Sequence, residues 1–155
     1  MTQKTNQFNL TTKRYNESDI KHLVQKGDLI YCINVKDRFG DNGITGLLII
    51  NLIRAANSAT IDTLLLSCRI IGKGIEDAFC FFVFNKLREL GYKTLYSSYV
   101  PTAKNVQVEN YYEKIGFTSI ESSDSGTKYY ELDLNKEEFR IKSYYKIFEK
   151  DESTN

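Results

Sequence analysis

The chain has 155 residues, of which 41% are hydrophobic and 13% aromatic, and its 21 basic and 20 acidic side chains nearly balance. This length and hydrophobic content suffice for one compact core but not for two ordinary domains. The balanced charge argues against a nucleic-acid-binding surface and against an acidic-polymer partner, so any anion site must be local.

The cysteines, the histidine and the apolar runs indicate the cellular location and whether a metal is bound. Cys32, Cys68 and Cys80 are odd in number and widely spaced, which is typical of free thiols in a reducing compartment. The single histidine, His22, cannot complete a metal site. No signal-peptide pattern follows residues 1–7, and no apolar run reaches roughly 18 residues. We therefore expect a soluble cytoplasmic protein without a metal, a membrane partner or a nucleic-acid partner.

The first half of the chain predicts an arm, a helix and three strands. Residues 8–15 have the alternating character of an extended arm or short strand. Asn16, with Asp19 three residues later, predicts the start of a helix that ends at Gly27. A hairpin loop is predicted over residues 37–42. The predicted strands are 28–36, 43–52 and 60–68.

The second half is dominated by a long helix over residues 75–90. Residues 79–84 favour a strand locally, but acids in the first turn and Gly91 at the end favour a helix. A shorter helix is predicted over 106–114, and the charged tail 136–155 is predicted to dock as a helix. The remaining predicted strands are 94–100, 117–121 and 128–134. This order predicts a mixed α/β protein of the α+β type, not a doubly wound nucleotide fold.

The first chemical motif is the turn Arg69-Ile70-Ile71-Gly72-Lys73-Gly74, between the predicted central strand and the long helix. A helix N-terminus presents unpaired N–H groups, and glycines let the backbone approach phosphate oxygens. The dinucleotide fingerprint would need glycine in place of Asp77, and a Walker loop would need one in place of Ser67, so both are excluded. An ordinary tight strand–helix turn is the alternative.

The second motif runs N-x-x-V-x-x-Y-Y-x-K-x-G-F from Asn105 to Phe117. It resembles the signature of the GNAT superfamily of N-acetyltransferases, with Val108 in place of the usual alanine. The R-x-x-G-x-G turn resembles the coenzyme-binding turn of the same superfamily. The resemblance implies the GNAT fold, a mixed central sheet of about six to seven strands flanked by helices, with a V-shaped splay between the central strands.

The resemblance also implies a site for acetyl-CoA or another acyl-CoA as co-substrate. The strand that ends at Cys68 would pair with the pantetheine arm, and amides from 70 to 75 would hold the pyrophosphate. Tyr112 would protonate the leaving thiolate, because a phenol of pKa near ~10 keeps its proton at neutral pH. A packed aromatic is the alternative for Tyr112. The implied coenzyme-binding residues are Ser67, Cys68, Arg69, Ile70, Ile71, Gly72, Lys73, Gly74, Ile75 and Asn105.

A closer similarity covers roughly residues 6–134. It is to the C-terminal acyltransferase-like domain of haloacid-dehalogenase-like proteins that load glyceryl units onto acyl carrier proteins for methoxymalonyl and related polyketide extender units. The similar segments are 6–15, 37–43, 61–69 and 101–105. The phosphatase-like domain of those proteins, with its D-x-D motif, has no counterpart here, so glyceryl-phosphate chemistry is not carried over. We predict one acyltransferase-like domain over 1–155, with its core at about 6–134 and a C-terminal extension over 135–155.

The identity of the general base is left open by the sequence. Amine acetylation needs a neutral nucleophile, so a carboxylate or a water chain must take the ammonium proton. Strand alternation predicts Asp62 on the same face as Leu64, Leu66 and Cys68, which makes Asp62 the candidate base if that face meets the acceptor. A carboxylate held by a structural hydrogen bond or salt bridge is the equal alternative.

Two further side-chain groups carry weaker hypotheses. Cys68, beside Arg69 and a helix N-terminus, could be acylated in a two-step route, although a buried small hydrophobe is the favoured reading. Asp37, Arg38 and Asp41 could select the acceptor or be solvated turn residues.

The predicted function is acyl-CoA-dependent acyl transfer, with an amine attacking the thioester directly. One alternative is a non-catalytic module that binds coenzyme A or a phosphopantetheine arm. Another is transfer to or from the thiol of a carrier protein. The expected partners are a small-molecule amine or an acyl carrier protein, and a homodimer is left open.

Overall fold

The structure, a computed structural model, describes residues 8–136 and 138–151, and a seven-stranded mixed sheet runs through it. The strands are β1 Phe8–Asn9, β2 Leu29–Asp37, β3 Gly40–Ile53, β4 Ser58–Leu66, β5 Thr94–Tyr99, β6 Thr118–Ser122 and β7 Lys128–Asp133. The helices are α1 Glu17–Lys26, α2 Ile75–Glu89 and α3 Tyr111–Lys114, with 3₁₀ turns at Arg54–Ala56 and Val106–Val108. The predicted α+β class and mixed sheet flanked by helices are confirmed.

The sheet has the order β2-β3-β4-β5-β7-β6, and β1 pairs with β4 outside that path. The main core lies between the sheet and α2, and it includes Phe79, Val83 and Leu87 of that helix. A smaller cluster joins Leu23 of α1 to Leu65 on the opposite face. Both faces of β4 are therefore buried, as its apolar sequence predicts.

Helix α1 begins and ends where the sequence predicts. The backbone N–H of Asp19 donates to Asn16 Oδ1 at 2.9 Å, and Asp19 Oδ2 accepts from the N–H of Asn16 at 2.9 Å, which forms a capping box. Gly27 closes the helix in the left-handed conformation, with φ of 94°. Helix α2 likewise matches its prediction within a residue.

The β2–β3 hairpin is tighter than predicted. Asp37 pairs with Gly40, so Arg38 and Phe39 alone form the turn, in place of the predicted loop over 37–42. The backbone N–H of Phe39 donates to Asp37 Oδ1 at 2.8 Å, which closes the turn locally.

Strand β4 contains a bulge at Asp62. Ile49 of β3 pairs with Thr63 and Ile50 pairs with Ile61, so Asp62 is the extra residue between two pairs. The bulge reverses the alternation: Ile61 and Leu64 both enter the main core. The prediction that Asp62 shares a face with Leu64 and Leu66 is therefore wrong.

Strands β4 and β5 are parallel and separate after a short contact. They pair only from Ser58 with Thr94 to Thr60 with Tyr96. Farther along β4, its edge pairs instead with β1, with Phe8 opposite Leu66. The predicted splay between the central strands is therefore present, and residues at the start of the chain lie inside it.

One predicted helix is shorter than predicted, and another does not form in the described residues. The segment 106–114 forms the 3₁₀ turn and the short α3, because Asn105 directs its side chain to the preceding loop and does not cap the segment. The tail 138–151 forms no helix but does dock, since Phe139 is buried and its carbonyl accepts from Asn85 Nδ2 at 3.0 Å. The part of the predicted tail helix at 152–155 lies outside the described residues. Among the described helices, none has the length and apolarity needed to cross a membrane.

Candidate active site

The glycine turn, residues 69–74, joins β4 to the N-terminus of α2 and is open to solvent at its centre. Gly72 is exposed with φ of 82°, and a Cβ built there would meet no atom of the described residues within 4 Å. Gly74 is the N-cap of α2 with φ of 78°, and no side chain among the described residues caps the helix. The first amides of α2 therefore lie behind a turn that offers an approaching anion no steric barrier at Gly72.

The side chains around the turn differ in their exposure. Arg69 and Lys73 are exposed, and Arg69 Nε donates to Ser67 Oγ at 3.2 Å. Ile70 is buried and anchors the turn to the core. Both cations can therefore reach a ligand at the turn from the solvent side.

The C-terminal tail reaches the same turn. The hydroxyl of Tyr145 donates to the carbonyl oxygen of Lys73 at 2.7 Å, and it lies 2.9 Å from the position of a Cβ on Gly74. Farther along the tail, Glu149 forms an ion pair with Lys86 at 2.9 Å. The tail thus lies along α2 and contacts the backbone at its N-terminal end.

Tyr112 of α3 is fully buried, and its hydroxyl has no hydrogen-bond partner among the described residues. Its ring packs against Phe117 at 5.0 Å and Tyr130 at 5.6 Å between centroids. Burial raises the pKa of Tyr112 well above its ordinary value, with smaller contributions from Cys80 and Tyr130. The phenol therefore keeps its proton at neutral pH, and that proton is not committed to a described protein acceptor.

The adjacent Tyr111 has a different environment. Its hydroxyl donates to Asp77 Oδ1 at 3.1 Å and lies 3.6 Å from Cys80 Sγ. Burial also raises the pKa of Tyr111. The Tyr111 proton is therefore used in a bond to a carboxylate, whereas the Tyr112 proton has no such acceptor among the described residues.

Asn105 is fully buried, and both ends of its side-chain amide are used within the chain. Its Oδ1 accepts from the N–H of Thr102 at 2.8 Å and from the hydroxyl of Tyr99 at 2.9 Å. Its Nδ2 donates to the carbonyl oxygens of Val100 at 2.8 Å and Asn9 at 3.0 Å. A coenzyme contact from Asn105 stays a prediction, and it requires one of these bonds to be exchanged.

Asp62 is buried in a polar cluster on the α1 side of the sheet. Its Oδ1 accepts from Lys13 Nζ at 2.7 Å and from Asn51 Nδ2 at 3.3 Å, and its Oδ2 accepts from the hydroxyls of Tyr15 at 2.6 Å and Thr63 at 2.8 Å. Burial alone would raise the pKa of Asp62, but the bonds from Lys13, Tyr15 and Thr63 outweigh it and lower the pKa. These bonds favour a structural role for the Asp62 carboxylate, and its role as general base stays a prediction.

The residues of the weaker hypotheses, at Cys68 and in the hairpin loop, are exposed. Cys68 is exposed, not buried as the favoured interpretation held, because β4 ends at Leu66 and Cys68 follows it outside the sheet. Arg38 and Asp41 are exposed in and beside the hairpin turn. In the described part of the chain, no group of three or more His, Cys, Asp or Glu side chains is arranged to hold a metal ion.

Sequence reasoning missed two features near the candidate site. Glu76 in the first turn of α2 is buried, and its Oε2 has no hydrogen-bond partner among the described residues. Residues 8–11 lie in the splay, although the arm at 8–15 was predicted without a position. The only signal was the apolar character of Phe8 and Leu10, which indicates burial but not its location.

Comparisons of the fold agree with this arrangement. No protein-family profile and no curated protein matches the chain. Among solved structures, the ribosomal-protein-S18-alanine N-acetyltransferase of Escherichia coli is 14% identical, with 90% of this chain and 86% of that one covered at a TM-score of 0.59. An IAA acetyltransferase from Bacillus cereus is 15% identical over 76% of this chain and 85% of that one, also at 0.59.

A third similar structure is an acetyltransferase of the GNAT family from Staphylococcus aureus. It is 15% identical over 76% of this chain and 75% of that one, at a TM-score of 0.59. At this level of identity the comparison establishes the fold and not the reaction. The chain therefore has the GNAT fold, as the sequence motifs predict.

Proposed function

We propose that this protein is an acyl-CoA-dependent acyltransferase that moves an acetyl or other acyl group to an amine. The observation that carries the proposal is the fully buried hydroxyl of Tyr112, which has no described protein partner and lies on the motif that predicts a proton donor. A buried hydroxyl without a partner costs about 1–3 kcal/mol, so its presence on this motif favours a role with a ligand. The cytoplasmic location predicted from the sequence stays part of this proposal.

The residues fit an acyl-CoA at one end of the site and not at the other. The glycine turn fits a pyrophosphate, because Gly72 leaves open space before the N-terminus of α2, and Arg69 and Lys73 are exposed beside it. The splay, where a pantetheine arm would pair with β4, is filled in this conformation by residues of the chain itself.

Each part of the site has a defined task in this reaction. An acyl-CoA, when bound, supplies a thioester whose acyl group goes to the amine while a thiol is released. The turn holds and orients the phosphates through backbone amides and adjacent cations. Tyr112 holds a proton at Oη for the departing sulfur. The ammonium proton of the acceptor goes to a carboxylate or to water; Asp62 was the first candidate, and the buried, unpartnered Oε2 of Glu76 is a second.

The closed splay supports a second function, a module that binds a phosphopantetheine arm or carrier protein without catalysis. In the described conformation Leu10 and Tyr112 are both fully buried, so an acyl group could not reach the phenol without a rearrangement. The second function rests on this closed conformation and on the sequence resemblance to carrier-protein-loading proteins. It predicts coenzyme binding without turnover, whereas the enzyme predicts both.

The test is release of free thiol from acetyl-CoA in the presence of pooled amines or of carrier proteins. For an enzyme, Tyr112→Phe should lower turnover by roughly 10²- to 10⁴-fold, because a general acid contributes about that much, while coenzyme affinity changes little. The folded state should be no less stable, since the lost hydroxyl makes no described hydrogen bond.

Tyr130→Phe is the matched control. Tyr130 is also fully buried and packs on Tyr112, but its hydroxyl donates to Glu113 Oε1 at 3.2 Å. This variant should lose about 1 kcal/mol of stability and keep its turnover. Equal turnover of wild type and Tyr112→Phe would refute the proton-donor role, and binding without any turnover would establish the second function.

A further inference from the structure

Residues 8–11, here called the strap, lie between β4 and β5 as an inserted strand. The backbone N–H of Leu10 donates to the carbonyl oxygen of Leu64 on β4 at 3.3 Å. On the other side, the N–H of Val100, just after β5, donates to the carbonyl oxygen of Leu10 at 2.8 Å. The strap therefore bonds to both walls of the splay with its own peptide groups.

Side chains of the strap are as buried as those of the core. Leu10 is fully buried and Phe8 is 2% exposed, with its ring 4.8 Å from that of Tyr111 between centroids. Thr11 donates its hydroxyl to the carbonyl oxygen of Asp62 at 2.9 Å. These contacts hold the strap at the bulge of β4 and beside α3.

The strap also occupies polar groups that the proposed function assigns to the coenzyme. Asn105 Nδ2, predicted to contact the coenzyme, donates to the carbonyl oxygen of Asn9. The end of β4, predicted to pair with the pantetheine arm, pairs with Phe8 and Asn9. The strap therefore forms hydrogen bonds with the same groups that are predicted to bind the coenzyme.

We propose that the strap is an internal competitor for the pantetheine arm and must leave the splay before an acyl-CoA can bind. The inference rests on the proposed function. A pantetheine arm is extended and carries two amides, so it can exchange bonds with a strand edge as an added peptide strand does. While the strap occupies the splay, only the fraction of molecules from which it has left can bind the coenzyme. The apparent affinity for the coenzyme is lowered in proportion to that fraction.

The space beside the strap is consistent with this movement. A cavity of about 300 Å³ is lined by Asn9 and Thr12 on one side and by residues 102–104 of the loop after β5 on the other. Because Asn9 of the strap forms part of one wall, the cavity would widen into the splay when the strap leaves. The anchor downstream of the strap, where Lys13 and Tyr15 bond to Asp62, sets the point from which the segment would swing.

The experiment is residue-resolved amide hydrogen exchange on the full chain, alone and with saturating coenzyme A or ADP. ADP carries the pyrophosphate but no pantetheine arm. Coenzyme A should remove protection from the Leu10 amide, whose acceptor is on β4, and change that of the Val100 amide, whose acceptor is on the strap. ADP should leave both unchanged.

A pair of variants measures the competition by calorimetry. Leu10→Ala weakens the packing of the strap, so the apparent Kd for coenzyme A should tighten by about tenfold if the strap loosens by that factor. Leu87→Ala removes an equally buried leucine of the same core from the distal part of α2, and its Kd should stay at the wild-type value. If Leu10→Ala does not fold, Thr11→Val removes only the bond to Asp62 and should tighten binding in the same direction.

The outcomes separate the two proposals. Loss of protection at Leu10 with coenzyme A but not with ADP supports the strap as a competitor, as does binding by Leu10→Ala where the wild type does not bind. Coenzyme A that binds while Leu10 and Val100 keep their protection overturns the strap proposal and leaves the proposed function intact. Absence of binding by wild type and variants overturns both.

Discussion

The two ends of the candidate coenzyme site differ in how completely the protein satisfies its own polar groups. At the glycine turn, Gly72 is exposed before a helix N-terminus that no described side chain caps, and the Tyr145 hydroxyl contacts the turn backbone. In the splay, the backbone of Leu10 bonds to both walls, and the amide of Asn105 is fully used. A ligand can therefore approach the turn directly, whereas it must displace protein from the splay.

The difference shows why one fold can present an open and a closed half of the same site. Helix N-termini leave amides unpaired because no residue precedes them in the helix, so the turn is available without rearrangement. A strand edge in the interior cannot stay unpaired at low cost, and a segment of the same chain fills it. A ligand that uses only the turn, such as ADP, should therefore bind without a change in the splay, whereas coenzyme A depends on both halves.

The largest effect is expected from a substitution in the glycine turn, the open half of the site. Gly72→Val should weaken coenzyme binding by at least about 100-fold, equivalent to about 2.7 kcal/mol, because a side chain then blocks the approach to the backbone. Calorimetry with coenzyme A measures the change. Gly91→Val is the matched control, since Gly91 is also exposed, has φ of 93° and has no atom of the described chain within 4 Å of a built Cβ.

Both glycine variants carry the same backbone strain, about 1–2 kcal/mol for a side chain in the left-handed region. Only the variant at the turn should lose affinity. An equal loss at both positions would mean that strain, not the approach of an anion, governs binding.

A smaller effect is expected at the anchor of the closed half. Asp62→Asn should lower the free energy of unfolding at pH 7 by about 2 kcal/mol, because a charged acceptor is lost from the bonds to Lys13 and Tyr15. Denaturant unfolding measures this loss. Asp124→Asn, in an exposed turn, should change stability little.

The same residue predicts a pH dependence with a definite sign. The pKa of Asp62 is lowered in the folded state, so its contribution is complete above the unfolded value of about 3.9 and is lost as pH falls through the folded pKa. The wild type should therefore lose more stability than Asp62→Asn on acidification below about pH 4. Parallel acid profiles of the two proteins would contradict this assignment.

The smallest effect is expected from removing the tail hydroxyl that contacts the glycine turn. Burial raises the pKa of Tyr145 to about 12, so its hydroxyl is protonated and donates to Lys73 across the neutral range. Tyr145→Phe should cost about 1 kcal/mol of stability and alter coenzyme affinity only a few-fold. Tyr144→Phe, at an exposed neighbour, serves as control, and a large loss of affinity from Tyr145→Phe alone would make the tail part of the binding site.

Much of the fold was predictable because its signals are local. The capping box at Asn16 and Asp19 and the left-handed Gly27 act within a few residues, so α1 was located from sequence. The flanks of α2 outweighed its β-favouring interior for the same reason. The mixed sheet of six to seven strands and its V-shaped splay followed from the two motifs through the fold that they resemble.

The helix predicted for the tail was wrong over residues 138–151, because contacts with residues distant in sequence determine the tail's conformation. Phe139 bonds to Asn85 within α2, and Tyr145 bonds to Lys73 just before it, and α2 rises about 15 Å between Ile75 and Asn85. Six helical residues rise only about 9 Å, whereas an extended segment covers the distance. The periodicity of the tail carried no information about this span.

The candidate site divides in the same way. The sequence by itself determined the glycine turn, the position of Tyr112 on its motif and the order of the elements, because spacing and caps are encoded within short windows. Only the tertiary structure placed Asp62 on the α1 face, through a bulge whose register depends on pairing with β3. Only it showed the strap in the splay, where Asn105 bonds to a residue 96 positions away. Contacts at that separation depend on how strands pair in space, which no local pattern specifies.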